Sequence, residues 1–145
     1  MGDIGGTNAR FALVESDGGI GRVSVLACKD FDGLAEAYES YCQQIGQHTN
    51  RLAIAVASPV DRDIIRFTNN HWSFDKAQVR SKLGLDELLL INDFAAQALA
   101  VPAVDPSSYQ MIQEGMAKPG APILVIGPGT GLGVGGLIPS ADGEM

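Results

Sequence analysis

Short apolar runs alternate with helical patterns along the chain, and turn residues separate them. Runs typical of strands cover residues 10–15, 22–29, 52–57, 63–68, 88–91, 123–126 and 133–138. Helical spacing of apolar residues covers 34–45, 73–83 and 94–101. Gly46, Gly84 and Pro102 follow these helices as stop signals, and Ser73 is expected to cap the second helix. An opening hairpin followed by alternating strands and helices predicts an α/β fold with a mixed sheet and flanking helices.

The alternation of apolar runs and turn residues restarts after Pro102, which predicts a domain boundary. We expect residues 1–102 to form a small α/β domain and residues 103–145 to form the first strands of a second, larger domain. The second piece holds too few elements for a core of its own. Residues 1–6 have the composition of a turn, so no strand is predicted there.

Composition narrows the class of protein. The chain has 145 residues, of which 46% are hydrophobic and 19% charged, as in globular proteins. A formal net charge of −7 without a Lys/Arg cluster argues against nucleic acid or an anionic membrane as a partner. No apolar run approaches the roughly 20 residues that span a bilayer, and the N-terminus lacks the features of a signal peptide. With Cys28 and Cys42 expected as reduced, buried thiols, we predict a cytoplasmic protein.

The first of two glycine clusters lies at the N-terminus. It comprises Gly2, Asp3, Ile4, Gly5, Gly6, Thr7, Asn8, Ala9 and Arg10. Glycines let backbone N–H groups point into a concave turn that binds anions, and Thr7 and Asn8 add side-chain donors. Asp3 cannot bind a phosphate directly but can hold a hydrated Mg²⁺ that bridges phosphates. A plain hairpin turn needs only one or two glycines, so the combination favours a phosphate site with Mg²⁺.

The second glycine cluster follows the strand at 123–126 and reads Gly-Pro-Gly-Thr-Gly-Leu-Gly over residues 127–133. Residues 131–136 match the G-x-G-x-x-G pattern of dinucleotide-binding folds. We reject that interpretation because no helix follows and no acidic residue lies about 20 positions on. A Walker A loop would need Gly-Lys-Ser/Thr, which does not occur. Two interpretations remain, a second phosphate-binding hairpin and a glycine-rich β-turn.

Two further polar segments are candidates for binding an acceptor. Asn92 and Asp93 follow the strand at 88–91, and ligands of open α/β sheets bind at that end of the strands. Asp93 could take a proton from an attacking hydroxyl, or it could cap the next helix. The segment Thr-Asn-Asn-His-Trp at 68–72 suits a carbohydrate, because amides bind hydroxyls and an indole covers a sugar face. Its alternative is an ordinary turn beside a buried Trp72.

These segments occur in an order that resembles the bacterial glucokinases, which belong to the sugar-kinase, Hsp70 and actin superfamily. Residues 2–10 resemble their first phosphate motif and residues 68–74 their sugar-side loop. Residues 90–94 are similar to their catalytic segment, and residues 127–133 to their second glycine motif, in which Ala commonly replaces Pro128. The match covers essentially the whole chain. It implies two ribonuclease-H-like domains that close over glucose and ATP, often in a homodimer.

The resemblance also implies a role for each site residue. Asp93 would be the general base on the glucose 6-hydroxyl, and Asn92, Asn69 and Asn70 would bind glucose. Asp3 would lie near Mg²⁺ and hold it through water. The ATP phosphates would be bound by Gly2, Asp3, Ile4, Gly5, Gly6, Thr7, Asn8, Arg10, Gly129, Thr130 and Gly131. The implied reaction is the ATP-dependent phosphorylation of glucose to glucose 6-phosphate.

One departure from the family pattern concerns its Glu-Gly-Gly-His segment, which carries further glucose ligands after the second glycine motif. The sequence stops at residues 142–145, before that segment, so we expect a fragment with little or no kinase activity alone. Two alternatives stay open. A non-catalytic sugar sensor would need a DNA-binding segment, which the sequence does not show. An actin- or Hsp70-like ATP-driven switch leaves Asn92, Asp93 and the Trp72 segment without a purpose.

Overall fold

The structure is a computed structural model that describes residues 1–116, 118–128 and 131–140. Its contacts divide the chain into two compact units, residues 1–93 and 94–145. The strands of the first unit are β1 (Gly2–Ile4), β2 (Asn8–Val14), β3 (Ile20–Ala27), β4 (Arg51–Val56), β5 (Ile64–Arg66), β6 (Ser73–Asp75) and β7 (Glu87–Asn92). Its helices are α1 (Leu34–Ile45) and α2 (Lys76–Lys82). The remaining elements are α3 (Asp93–Ala100), β8 (Ile123–Pro128) and β9 (Leu132–Leu137).

The first unit is built on a five-stranded sheet with the order β3-β2-β1-β4-β7. β1, β4 and β7 are parallel, whereas β2 is antiparallel to both β1 and β3. An antiparallel meander continued by parallel strands, with helices on the connections, is the ribonuclease-H-like arrangement. The predicted α/β mixed sheet is therefore confirmed. β5 and β6 form a separate two-stranded sheet.

β1 corrects the sequence prediction, which assigned residues 1–6 to a turn. The strand lies at the centre of the sheet, where Ile4 pairs with Ala9 on one side and with Val56 on the other. Ile4 is completely buried. Three residues are too few to show an alternating pattern, so the glycines around them dominated the prediction.

The start of α2 also differs from the prediction. Ser73 was expected to cap this helix, but it lies in β6 and pairs with Arg66. The cap is Asp75, whose Oδ1 accepts a hydrogen bond from the backbone N–H of Gln78 at 2.9 Å. The apolar residues that suggested a longer helix belong partly to this short strand, which leads directly into the helix.

One hydrophobic core joins the sheet to α1 and α2. At its centre Phe11 stacks on Tyr41, with ring centroids 5.4 Å apart, and meets the edge of Tyr38 at 5.7 Å. Cys28 and Cys42 are buried free thiols, as the sequence predicted. α1 ends at Gly46, which adopts a left-handed conformation with φ of 66°. The strongest sequence signals therefore correspond to the best-packed part of the unit.

The second unit holds the antiparallel hairpin of β8 and β9, which pairs from Ile123 opposite Leu137 to Pro128 opposite Leu132. Contacts group most of α3 with this unit, whereas the sequence analysis placed that helix before the boundary. The division into domains at 1–102 and 103–145 stays a prediction. None of the helices within the described residues has the length and apolar character that crossing a bilayer requires.

Candidate active site

The first glycine cluster and the Asn-Asp segment meet at one edge of the sheet in the first unit. Ile4, Val56 and Asn92 lie side by side at the carboxyl ends of β1, β4 and β7. Neighbouring strands are about 4.8 Å apart, which puts β1 and β7 roughly 10 Å apart at this edge. Gly5 directly follows β1, and Asp93 directly follows β7. The fold therefore brings them to the position where α/β sheets bind ligands.

Residues 5–8 form the connection between β1 and β2, called here the glycine turn. The Gly5 N–H donates to the Asn8 carbonyl at 3.0 Å and closes the turn. From outside, the backbone N–H of Cys28 donates to the Thr7 carbonyl at 2.8 Å. Within the described residues, the N–H groups of Gly6 and Thr7 donate to no protein acceptor. Adjacent N–H groups of this kind in a tight turn can form an anion-binding concavity, and the phosphate contacts of the glycine turn stay a prediction.

Asp3 and Arg10, both predicted at the phosphate site, form a cross-strand ion pair. Arg10 Nη1 lies 3.1 Å from Asp3 Oδ2, and both side chains are about half exposed. Such a pair contributes little to stability and leaves both groups accessible to a ligand. No group of three or more His, Cys, Asp or Glu side chains that could hold a metal occurs within the described ranges. One accessible carboxylate still fits Mg²⁺, which keeps several waters and takes further ligands from substrate phosphates.

Residues 68–72, called here the amide loop, lie against the glycine turn. The Trp72 side chain is only 1% exposed, and its Nε1 donates to the Phe31 carbonyl at 3.1 Å. Trp72 is therefore a core residue, which confirms the interpretation of a turn beside a buried tryptophan, and the interpretation in which its indole covers a sugar is wrong for this structure. Asn70 Nδ2 donates to the Gly5 carbonyl at 3.1 Å, while Asn70 Oδ1 accepts from the Trp72 N–H at 2.7 Å. Asn69 is exposed, and its role in binding glucose, like that of Asn70, stays a prediction.

Asn92 and Asp93 lie where a strand changes into a helix. Asn92 is the last residue of β7 and Asp93 the first of α3, and both are partly buried. The positive end of the helix dipole at this position attracts a carboxylate. This position is compatible with both predicted roles of Asp93, general base and helix cap, and both stay predictions.

The second glycine cluster proves to have a packing role that the sequence analysis missed. A Cβ added to Gly133 would lie 1.8 Å from a ring carbon of Phe94, and one added to Gly135 would lie 2.2 Å from the Phe94 carbonyl oxygen. A Cβ added to Gly127 would lie 2.9 Å from the same ring. Glycine is thus required at these positions to accommodate Phe94. The spacing of two between Gly133 and Gly135 on one face of β9 was the available signal.

The phosphate residues predicted in that cluster come between β8 and β9 in the sequence. Gly129 and Thr130 are outside the described residues, so their predicted contact with phosphate is not addressed by the structure. Gly131 is exposed, with open space where a Cβ would point. Packing therefore accounts for the glycines in the strands, and the phosphate interpretation stays a prediction for residues 129–131.

Cys28 contacts the glycine turn, although the sequence analysis did not assign it to the site. Its Sγ lies 3.8 Å from the Gly5 carbonyl, in addition to its backbone contact with Thr7. Burial raises the pKa of the Cys28 thiol above its usual value, so at neutral pH it keeps the proton needed to donate to Gly5. The sequence pattern placed Cys28 at the end of an apolar strand, whereas it begins a short 3-10 helix after β3, and the pattern carried no local signal of such a contact.

Known proteins resemble this chain over essentially its whole length. A family model described as Glucokinase matches residues 1–145. The glucokinase of Neisseria meningitidis is 49% identical over 146 aligned positions, which cover 99% of this chain and 44% of that relative. The chain thus spans less than half the length of the curated glucokinases it matches.

Solved structures show the same fold. The crystal structure of a glucokinase from an Antarctic psychrotroph matches 97% of this chain and 46% of its own, with a TM-score of 0.86 and 34% identity. A ROK family glucokinase from Streptomyces griseus, solved with glucose and AMPPNP, matches 94% of this chain and 43% of its own, with a TM-score of 0.64 and 23% identity. The family model covers every residue of the sequence, and the chain therefore belongs to the glucokinase family.

Proposed function

We propose that this chain forms the part of a glucokinase that carries the catalytic base and the first phosphate turn. The reaction is transfer of the terminal phosphoryl group of ATP to the 6-hydroxyl of glucose. The observation that carries the proposal is the register of the parallel strands, which brings the glycine turn and Asp93 to one sheet edge. The family supports the substrates, because a related glucokinase was solved with glucose and AMPPNP.

On the acceptor side, Asp93 accepts the proton of the glucose 6-hydroxyl as that oxygen attacks the phosphorus. Asn92 hydrogen-bonds a sugar hydroxyl, and Asn69 is proposed as a further polar contact. Phosphoryl transfer has a loose transition state, in which positioning and charge neutralisation dominate. A carboxylate of ordinary basicity is therefore a sufficient base.

On the donor side, the N–H groups of Gly6 and Thr7 bind phosphate oxygens, and the Thr7 hydroxyl adds a donor. The backbone of Gly2, Ile4, Gly5 and Asn8 shapes this site, and Gly129, Thr130 and Gly131 are proposed to bind phosphate as well. Asp3 would hold Mg²⁺ through water, and the ion would neutralise phosphate charge when bound. Arg10 holds the Asp3 carboxylate in place and adds positive charge near the phosphates.

We further propose that the protein works in the cytoplasm, because both of its cysteines are free thiols, as expected in a reducing compartment. Homodimerisation of the full-length enzyme stays a prediction of the family resemblance.

The test uses a full-length protein that carries this segment, because the chain spans less than half of its relatives. Glucose 6-phosphate formation is measured with ATP and Mg²⁺, with glucose, mannose and fructose as acceptors. The proposal predicts turnover that requires both ATP and a hexose. Sugar binding without turnover would instead indicate a sugar sensor, and ATP hydrolysis that ignores sugar would indicate an ATP-driven switch.

A further inference from the structure

Asn70 connects two segments that are distant in the sequence and adjacent in the fold. Its Nδ2 donates to the Gly5 carbonyl at 3.1 Å, across 65 residues of chain. Its Oδ1 accepts from the Trp72 N–H at 2.7 Å, which fixes the side-chain amide so that Nδ2 faces the glycine turn. Asn70 therefore holds the turn to the amide loop through one oriented side chain.

The amide loop is anchored to the core by hydrogen bonds and by a buried side chain. Trp72 is buried in the core, where its Nε1 donates to the Phe31 carbonyl. The His71 ring nitrogen lies 3.0 Å from the same carbonyl. The Phe67 N–H donates to the Trp72 carbonyl at 3.2 Å and closes the loop. A contact from this loop can thus set the position of a more adaptable segment.

The group that Asn70 holds is the carbonyl of the peptide unit between Gly5 and Gly6. In a planar trans peptide, the C=O of one residue and the N–H of the next point in opposite directions. Anchoring the Gly5 carbonyl therefore directs the Gly6 N–H to the other side, where the phosphate site is proposed. Two adjacent glycines have no Cβ to resist rotation of this peptide unit. The hydrogen bond from Asn70, with the weaker one from Cys28, opposes that rotation.

We propose that Asn70 is a positioning residue for the ATP phosphates, which acts by fixing the Gly5–Gly6 peptide so that the Gly6 N–H faces the phosphate. This inference rests on the proposed function and assigns Asn70 to the donor side, rather than to the glucose contact that the family resemblance suggests. Replacing the Asn70 side chain leaves the Gly6 N–H in place as a phosphate donor but removes the hydrogen bond that fixes its orientation.

The kinetic test compares Asn70→Ala, Asn70→Asp and the control Ser73→Ala in a full-length protein that carries this segment. Asn70→Asp keeps the acceptor for the Trp72 N–H, loses the donor to Gly5 and adds a negative charge, whereas Asn70→Ala loses the donor without adding a charge. Ser73→Ala removes an exposed hydroxyl next to the amide loop that the proposed function does not use. We expect both Asn70 variants to raise KM for ATP by about five-fold or more, the effect of one lost hydrogen bond. The KM for glucose stays within about two-fold, and Ser73→Ala leaves the KM for ATP unchanged.

Two kinetic results would overturn the proposal. A rise in the KM for glucose with an unchanged KM for ATP would make Asn70 a sugar ligand. An effect of Asn70→Ala that Asn70→Asp does not share would assign it to the support of Trp72.

A second measurement separates this inference from the proposed function. In ¹H–¹⁵N spectra of the 145-residue chain without ligand, both Asn70 variants should shift the Gly6 amide resonance, whereas Ser73→Ala should shift it less. An unchanged Gly6 resonance would refute the positioning role even in an active enzyme. A shifted resonance in a protein without ATP-dependent turnover would refute the proposed function and leave the contact in place.

Discussion

Replacing Gly6 by alanine tests whether the glycine turn is built around its contact with the amide loop. A Cβ at position 6 would lie 2.8 Å from the Asn69 Cβ and 3.1 Å from the Asn69 carbonyl oxygen. Gly5 is the matched control, because a Cβ there would meet only the Asn8 carbonyl, at 3.7 Å. Neither glycine has a positive φ, so the two substitutions differ in space and not in backbone strain.

The expected magnitude follows from these distances. The contact at Gly6 is about 1 Å shorter than the roughly 3.5–4.0 Å optimum between carbon atoms. Part of it is with the backbone of Asn69, so rotation of a side chain cannot relieve it. Overpacking of this kind costs about 1–3 kcal/mol. A tolerated Gly→Ala change instead stabilises by about 0.4–1 kcal/mol, because it restricts the unfolded chain. We therefore expect Gly6→Ala to be about 2–3 kcal/mol less stable than Gly5→Ala.

Urea unfolding followed by tryptophan fluorescence measures this difference. Trp72 is the single tryptophan of the chain, is 1% exposed and lies in the amide loop, so it reports on the first unit. With a slope of about 1–3 kcal/mol per molar urea, the two midpoints should differ by about 1 M. If both variants unfold within about 0.5 kcal/mol of each other, the effect of an ordinary surface change, the close contact does not constrain the turn.

Two further predictions concern the second unit and the core. Gly135→Ala should lower the free energy of opening the hairpin by about 2 kcal/mol, because the new Cβ would meet the Phe94 backbone at 2.2 Å. Hydrogen exchange at residues 123–137 should therefore rise in this variant. It should not rise in the control Gly136→Ala, whose new Cβ would have its nearest contact at 3.7 Å. Unchanged exchange in both variants would contradict this packing. Burial raises the pKa of Tyr38 from 10.0 to about 12, so its neutral form stabilises the fold fully below pH 10 and that stability is lost as the pH rises toward 12. Tyr38→Phe should flatten the loss of stability over this range, whereas Tyr109→Phe, at an exposed position, should not; equal slopes in both variants would contradict the assignment.

Long periodic segments were predictable from the sequence for a physical reason. α1 spans residues 34–45 as predicted, because its apolar spacing and the glycine after it are local signals. β2 and β3 were found within two residues at each end, since alternating apolar runs flank a clear turn. The edge that carries Asn92 and Asp93 was also predictable, because a parallel α/β sheet binds ligands where its strands end.

The contacts that shape the site could not be predicted in this way. The hydrogen bond from Asn70 to Gly5 joins residues 65 positions apart and leaves no local pattern. Similarly, Cys28 gives the signal of a buried apolar residue, although its backbone and thiol both contact the glycine turn. The glycines around Phe94 suggested a ligand because glycine permits close approach to a phosphate or to a side chain equally well. Only the fold distinguishes the two.

The most direct test of the central claim replaces Asp93 in a full-length protein that carries this segment. Asn can cap the start of α3 but cannot accept the proton of the glucose hydroxyl, whereas Ala can do neither. Gln97→Ala, at an exposed position of the same helix, is the control. We predict that Asp93→Asn folds with wild-type stability and that its kcat for glucose falls by about 10²-fold or more. An Asn variant with full activity, beside an Ala variant that is merely unstable, would contradict the account and leave Asp93 as a helix cap.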